Sequence, residues 1–596
     1  MATNAQLKTM ADKLRIHSLR MTTAAGSGHP TTCLSAAEIM SVLFFAEMGG
    51  RDEFILSKGH AAPILWAALA EAGRISRDEL MTLRRIDSVL EGHPTCRMPQ
   101  VRVATGSLGQ GLGAGVGMAL AKKLSADPGR VFVLLGDGET AEGSVWEAAD
   151  SAAGFRLDNL VAIVDANRLG QSGPTRHGHD LKAYEGKFRA FGWEARVVAD
   201  GHDVRRVREA LAGAGHSAKP LAVIARTFKG RGVSFLEDKE GWHGKPLSEA
   251  QLQAALAEIG PAEIALPSPY SSAAPAFAFR DYPANEYIPG ELVATRAAYG
   301  KALLGLGRAN DRVVAIDGDV KNSTMAEEFF AAFPERAFEA YIAEQNMAGM
   351  AMGLSAMGFM PYVATFAAFL SRAHDFIRMA QYSGANITFV GSHAGVSIGA
   401  DGPSQMGLED LAIFLAMPGA LVLYPSDAVS CEKLVKETAR HIGISYLRTT
   451  RDRTPVLYGN GDEFPAGGLK VLRRTPADRA LVVGAGITVH EALKAHEALK
   501  ARGIAVRVVD LYSLQPLPAD ELMRHARECG GRVVVAEDHY GGVIAARVAG
   551  AVGRVTGLWV KGMPRSGKSA ELLALMAIDH AAIVRAVADE LKSDPS

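Results

Sequence analysis

The sequence predicts an α/β protein made of three consecutive α/β domains with mostly parallel sheets. Three observations carry that prediction. Up to about residue 260, short β-branched runs alternate with small-residue helical segments, the rhythm of strand, crossover helix and parallel strand. Two turn-rich stretches without a clear period, Pro267–Glu291 and Tyr458–Gly468, interrupt the rhythm. After each interruption it begins again, with "ATRAAYGKALLGLGRAN" and "RVVAIDGD" in one case and "RALVVGAGITVHEALKAHEALKARGIAVRVVDL" in the other. The expected boundaries are residues 1–265, a linker at 266–290, residues 291–458 and residues 469–596. A chain of 596 residues has ample length for several cores.

Composition narrows the class. With 48% hydrophobic and 22% charged residues, and Lys+Arg 64 against Asp+Glu 65, the net charge is −1. Such balance argues against a nucleic-acid or membrane-surface partner, which calls for a basic excess. Cys33, Cys96, Cys431 and Cys529 lie far apart with no C-x-x-C pair, so a reducing, cytoplasmic setting fits better than a disulfide framework or a structural zinc site. The opening "MATNAQLKTMADKLRIHSLRM" mixes charges through a helical pattern and does not read as a signal peptide. Met347 to Leu370 carries no charge and is long enough to cross a bilayer. Pro361, Gly349, Gly353 and Gly358 instead predict a helix, a turn and a strand packed within protein.

In the first domain the apolar run of "VFVLLGDGET" ends on Asp137, held between Gly136 and Gly138. A helix "SVWEAADSAAGF" and a strand "NLVAIVDA" follow, and Asn167 stands thirty positions beyond Asp137, about one βαβ crossover. The two residues are therefore expected at neighbouring strand ends, where open α/β sheets place ligands. One carboxylate and one amide oxygen are too few for an all-protein cage. They suit Mg²⁺, which keeps waters and completes its octahedron with phosphate oxygens. Gly138 lets backbone approach a phosphate, and a helix starting near Gly143 points its dipole the same way. In the third domain, Gly484-Ala485-Gly486 also follows a strand, but Val489 replaces the third glycine of a dinucleotide loop, so a plain structural turn is expected.

Histidines recur in glycine-flanked loops: His29 in "GSGHP", His60 in "KGHAA", His93 in "EGHPT", His243 in "GWHGK" and His393 in "GSHAG". None has the i, i+4 spacing of a helical zinc pair, and neutral imidazoles suit polyol and phosphate recognition with proton transfer. His177 and His179, in "PTRHGHDLKAYEGKF", read as structural, and that segment is assigned no site.

The combination of GDG with an Asn about thirty residues later resembles the thiamine diphosphate motif. "GDGETAEGSVWEAADSAAGFRLDNLVAIVDANRLGQSG" is similar to the transketolase family, in particular its shorter, animal-type members. "TTAAGSGHPT", "LSKGHAAPILWA", "ATGSLGQGLGAG", "FKGRGVSFLEDKEGWHGKP", "YIAEQNMAGMA", "GSHAGVSIGADGPSQMGLEDLA" and "PRSGKSAELL" extend the resemblance over nearly the whole chain. It implies a thiamine diphosphate-binding fold in the first two domains. The implied activity is transfer of a two-carbon ketol unit from xylulose 5-phosphate to ribose 5-phosphate or erythrose 4-phosphate in the pentose phosphate pathway. It also implies Mg²⁺, with Ca²⁺ or Mn²⁺ as substitutes, and a homodimer with active sites at the subunit interface.

Residue by residue, the resemblance implies Glu344 as the acid that bonds the cofactor's pyrimidine nitrogen, with His29, His93 and His243 around the reacting sugar carbons. Desolvation by the uncharged run after Glu344 would favour a proton-sharing form; stabilising a helix N-terminus is its alternative role. Cofactor contacts are implied for Thr32, His60, Gly106, Ser107, Leu108, Gly138, Asn167, Lys229, His243, Gln405 and Phe369, the last as the ring stacked on the pyrimidine. Thr32 stands where close relatives have Ser. Metal ligation is implied for Asp137, Asn167 and Leu169. Sugar phosphate binding is implied for His29, His243, Arg296, Ser323, His393, Asp401 and Arg451, with Arg supplying a fork that matches phosphate oxygens. A 1-deoxyxylulose 5-phosphate synthase and a transketolase acting on other ketoses are the neighbouring alternatives. A non-catalytic paralogue would be expected to lose Glu344, Asp137 or Asn167, and all three are present.

Overall fold

The computed structural model describes residues 2–215, 217–271 and 275–592, so Ser272, Ala273 and Ala274 of the expected linker lie outside the described residues. The chain divides into two compact units: Met1–Ala276 with Ala348–Gly358 and Asp375–Gly384, and Phe277–Met347 with Phe359–His374 and Ala385–Ser596.

The first unit is organised by five parallel strands: β1 (Glu53–Leu56), β2 (Val131–Gly136), β3 (Leu160–Ala166), β4 (Glu194–Val198) and β5 (Leu221–Arg226). They lie in the order β1-β2-β3-β5-β4. Every residue of β2 and β3 is buried, as expected of central strands covered by helices on both faces. Their register runs from Val131 opposite Leu160 to Gly136 opposite Asp165. Asp137 and Asn167 consequently follow the carboxyl ends of adjacent strands. The helix Gly143–Gly154 makes the right-length crossover between them.

A second helix, Gly111–Leu124, packs its small residues against residues 348–358 at backbone distance. A Cβ on Gly117 would stand 2.0 Å from the Met350 carbonyl oxygen, and one on Gly353 would stand 1.9 Å from that of Ala114. Glycine is required at both places because the two backbones leave no room for a side chain.

In the second unit a seven-stranded sheet runs Ser513–Gln515, Leu421–Leu423, Ile444–Arg448, Ile387–Ser392, Met360–Phe366, Val313–Asp317, Ala337–Glu339. Only the pairing of Leu421–Leu423 with Ser513–Gln515 is antiparallel. The uncharged stretch forms the helix Glu344–Ala356, a turn and the strand Met360–Phe366. Among the described residues no helix is long and apolar enough to cross a membrane.

A five-stranded sheet completes this unit in the order Lys470–Arg473, Arg507–Asp510, Leu481–Gly484, Val533–Tyr540, Thr556–Val560, parallel except at its first strand. The Gly484-Ala485-Gly486 turn opens the helix Ile487–Lys500 and presses Gly486 against the Tyr424 ring, where a Cβ would come within 2.0 Å. Its glycines serve packing.

Candidate active site

In the first unit a cavity of about 370 Å³ opens over the carboxyl ends of β2 and β3. His29, Thr32, His60, His93, Gly106, Leu108, Asp137, Gly138, Asn167, Leu169, Lys229 and His243 line it, so twelve residues singled out from sequence meet in one place. Lys58, Glu139, Gly170, Gln171 and Thr175 line it too.

The Asp137 carboxylate is fixed by neutral donors. Its Oδ1 accepts from the Gly138 amide at 2.9 Å, and its Oδ2 from the Arg168 amide at 2.8 Å and the Thr175 hydroxyl at 2.9 Å. Arg168 holds φ +63, a left-handed conformation that turns its amide back toward Asp137. The Asn167 amide is oriented by its own NH₂ group, which donates to Asp165 Oδ2 at 3.2 Å and thereby assigns Oδ1 to the opposite side. Asp165 is fully buried between the Lys58 ammonium and the Ser35 and Thr227 hydroxyls. The Leu169 carbonyl accepts from Lys229 Nζ at 2.8 Å and is thus already turned toward a cation.

Four imidazoles face one another across the cavity. His29 lies 5.3 Å from His60, 6.2 Å from His93 and 5.0 Å from His243, and His60 lies 5.3 Å from His243, between ring centroids. Burial, with Lys229 beside it, pushes His243 down to about 3; burial, with His93 and Arg84, pushes His29 down to about 4. Burial lowers His60 and His93 as well. At neutral pH all four are uncharged rings that can donate at one nitrogen and accept at the other. Burial and Lys58 also bring Lys229 down to about 8, while its Nζ stands 2.7 Å from His243 Nδ1.

Glu139 ties three segments of the wall together. Its carboxylate accepts from the Ser57 hydroxyl at 2.5 Å, the Gly109 amide at 2.8 Å and the Gly136 amide at 3.0 Å. Gly106 has φ +134, and a Cβ there would stand 2.9 Å from the His93 ring, so only glycine leaves this wall open. Ser107 differs from its neighbours: its hydroxyl donates to Asp375 Oδ2, and it does not line the cavity.

The second unit holds a separate group of the singled-out residues. Arg296 Nη1 donates to the Ser323 carbonyl at 2.6 Å, and Arg451 Nη1 to Asp401 Oδ2 at 2.6 Å and to the Ile398 carbonyl at 3.1 Å. Burial and the two guanidiniums push His393 down to about 3, and burial with Arg451 lowers Arg296. The two guanidiniums thus share one electrostatic neighbourhood with His393, Arg451 being paired with the Asp401 carboxylate. His393, at φ +57, stacks on Phe366 at 3.8 Å, and Phe366 on Phe369 at 5.4 Å. Arg372 lies over the Phe369 ring and donates to the Glu344 carboxylate at 3.2 Å and 3.3 Å. Glu344 is the first residue of its helix and is buried, and its ion pair with Arg372 adds a cation to surroundings that the sequence describes as apolar. Gln405 lies on the same loop as His393 and Asp401.

Sequence reasoning passed over Thr175, whose segment has no period; the bridge between Leu169 and Pro174 folds it back onto Asp137. Lys58 stands two positions before His60 in a motif already noted, so its neighbourhood was the available signal. His179 bonds the Thr227 carbonyl and His177 the Lys187 ammonium, in keeping with structural roles.

The cavity fits a polyanionic cofactor on its own chemistry. Among the described residues, buried Thr32 Oγ1 and His29 Nδ1 have no protein partner, and a carboxylate, an amide oxygen and a peptide carbonyl form a hard oxygen set. Among the described residues no group of three or more His, Cys, Asp or Glu could hold a metal ion. A cavity of this kind, at the carboxyl edge of a parallel sheet, marks an α/β enzyme of the cofactor-binding class.

Comparison with known proteins specifies the class. The transketolase thiamine diphosphate binding domain matches residues 6–268, the transketolase pyrimidine binding domain residues 291–456 and the transketolase C-terminal domain residues 469–583. The chain is 48% identical to transketolase from Homo sapiens over 98% of its length and 97% of the relative's, and 48% identical to transketolase-like protein 2 from Mus musculus over the same shares. The fold is that of a transketolase structure from Campylobacter jejuni, with TM-score 0.88 and 24% identity, covering 99% of this chain and 100% of that one. The chain belongs to the transketolase family, a family of ketol-transferring enzymes.

Proposed function

We propose that the protein transfers a two-carbon ketol unit from a ketose phosphate such as xylulose 5-phosphate to an aldose phosphate such as ribose 5-phosphate or erythrose 4-phosphate. The reaction would serve the pentose phosphate pathway in the cytoplasm, in a homodimer, with Mg²⁺ or its substitutes Ca²⁺ and Mn²⁺. The observation that carries the reading is the convergence of four uncharged imidazoles with Asp137, Asn167 and Leu169 in one cavity.

Thiamine diphosphate supplies the electron sink for a two-carbon carbanion that no side chain can stabilise. Asp137, Asn167 and the Leu169 carbonyl would hold the metal, and Gly106, Leu108, Gly138, Thr32, His60 and Lys229 the diphosphate and its surroundings. Ser107, expected among them, has its hydroxyl engaged with Asp375 instead. His29, His93 and His243 bind sugar hydroxyls and move protons at their oxygens, a task for rings that are neutral at working pH. Glu344 would bond the pyrimidine nitrogen, with Phe369 stacking on that ring and Gln405 as a further cofactor contact. Arg296, Ser323, His393 and Arg451 take the substrate phosphate, with Asp401 reading a hydroxyl.

The test is a direct assay of sedoheptulose 7-phosphate formation from xylulose 5-phosphate and ribose 5-phosphate, with hydroxypyruvate and pyruvate as alternative donors. Turnover with both sugar phosphates and with hydroxypyruvate is expected; turnover of pyruvate alone would remove the assignment.

A further inference from the structure

The loop from His393 to Gln405 carries three residues of the proposed substrate and cofactor set, yet its lower surface is not made by its own domain. Residues beyond 530 form it. Gly395, at φ +75, lies so close to Asp538 that a Cβ would stand 1.8 Å from Oδ2. Gly402, at φ +86, would meet the Ser566 hydroxyl at 2.7 Å, and Gly399 the Gly567 carbonyl at 3.0 Å. The Tyr540 amide donates to the Leu408 carbonyl at 3.0 Å, and the Leu411 amide to His539 Nε2 at 3.1 Å. Val396, Ile398, Met406 and Leu408 are buried in one apolar cluster with Val560, Leu572, Leu573 and Ile578.

Asp538 is also the polar anchor of that surface. It is fully buried; Oδ1 accepts from Arg448 Nη1 at 2.7 Å and Oδ2 from the Tyr424 hydroxyl at 2.9 Å. Arg448 in turn donates to the Gly407 carbonyl at 2.9 Å, and Gly407 accepts the amide of Gly395 at 2.8 Å. Asp410 Oδ2 accepts from Arg448 Nε at 2.8 Å as well, so Asp538 meets the loop directly at Gly395 and shares with Asp410 the arginine that holds Gly407. On the upper side Arg451 Nη1 reaches the Ile398 carbonyl, so a shift of Ile398 displaces the guanidinium proposed to meet phosphate.

We propose that the C-terminal domain acts as the mould of the phosphate-recognising loop, with Asp538 as a positioning residue and the Leu572 face as its apolar floor. This role rests on the reading of Arg296, His393 and Arg451 as the substrate phosphate site. It gives that domain a part in substrate choice without any side chain touching the substrate.

The holoenzyme is assayed with hydroxypyruvate as donor and either ribose 5-phosphate or glycolaldehyde, which has no phosphate, as acceptor. The phosphate advantage is the ratio of the two kcat/KM values. Arg296→Leu tests the underlying reading and is expected to remove most of that advantage. Asp538→Asn and Leu572→Ala are each expected to lower the advantage by about ten- to a hundredfold, the worth of one charge-assisted contact, mainly through KM for ribose 5-phosphate. Glycolaldehyde turnover stays near that of the parent. If Arg296→Leu leaves the advantage intact, the phosphate site and the mould both fall. If Arg296→Leu removes it while the folded C-terminal variants keep it, or lose both acceptors equally, the mould alone is overturned. Should Asp538→Asn not fold, Leu572→Ala decides by the same criterion.

Discussion

Replacing Asp137 by Asn separates binding from folding. The carboxylate accepts three hydrogen bonds, all from neutral groups, and an amide of nearly the same volume keeps an oxygen for the Arg168 amide and the Thr175 hydroxyl. The empty protein should therefore melt within a few degrees of the parent. The unit that contains Asp137 has about 300 residues, so its unfolding entropy is about 0.6 kcal/mol per kelvin. Thiamine diphosphate with Mg²⁺ at about a hundred times Kd stabilises the fold by about 2.7 kcal/mol, or about 4 °C. Loss of the only charged ligand in the proposed set is expected to weaken binding about a hundredfold, which at the same concentrations leaves about 0.4 kcal/mol and a shift of less than about 1 °C. Differential scanning calorimetry with and without both ligands measures the two shifts. A full 4 °C response in Asp137→Asn would refute the assignment of this carboxylate to the metal.

Three further outcomes are expected. His29, held at about 4, and His243 and His393, held at about 3, are proton-free in the fold but protonate below about 6.5 when the chain unfolds. Their contribution is thus fully present above about pH 6.5 and is lost as pH falls toward 4. Urea midpoints between pH 7.5 and 4.5 should decline, and a flat profile would contradict the burial argument. Glu344→Gln should fold normally and slow turnover by about a hundredfold or more, read by steady-state assay; an unchanged rate rejects its catalytic role. Gly353→Ala drives a methyl into the Ala114 carbonyl and should cost about 1–3 kcal/mol or more in thermal unfolding, whereas a neutral result would mean that the two helices can part freely.

Much of the first cavity is legible from the chain because its parts follow strand ends. Asp137 and Asn167 come directly after apolar runs, and the crossover length between them fixes their adjacency before any coordinates are known. The glycine-flanked histidines are legible as loops, though their mutual facing depends on where four separate loops return. What stays hidden is partnership across long separations. The Ser107 hydroxyl points to Asp375, 268 positions away, and the Lys58 ammonium to Asp165, 107 positions away; neither pairing leaves a local trace. Thr175 is hidden for another reason, since a short irregular hairpin obeys no period. The antiparallel strand Ser513–Gln515 is hidden as well, because three residues carry no rhythm and their partner lies in the preceding domain.

That short strand sets a schedule for synthesis. The edge at Leu421–Leu423 leaves the ribosome about ninety residues before its neighbour Ser513–Gln515 exists. At roughly 5–20 residues per second the edge stays bare for about five to twenty seconds, with open amides and carbonyls available to any passing chain. A nascent polypeptide paused in that interval would be more prone to aggregate than either the finished protein or a chain halted before residue 420.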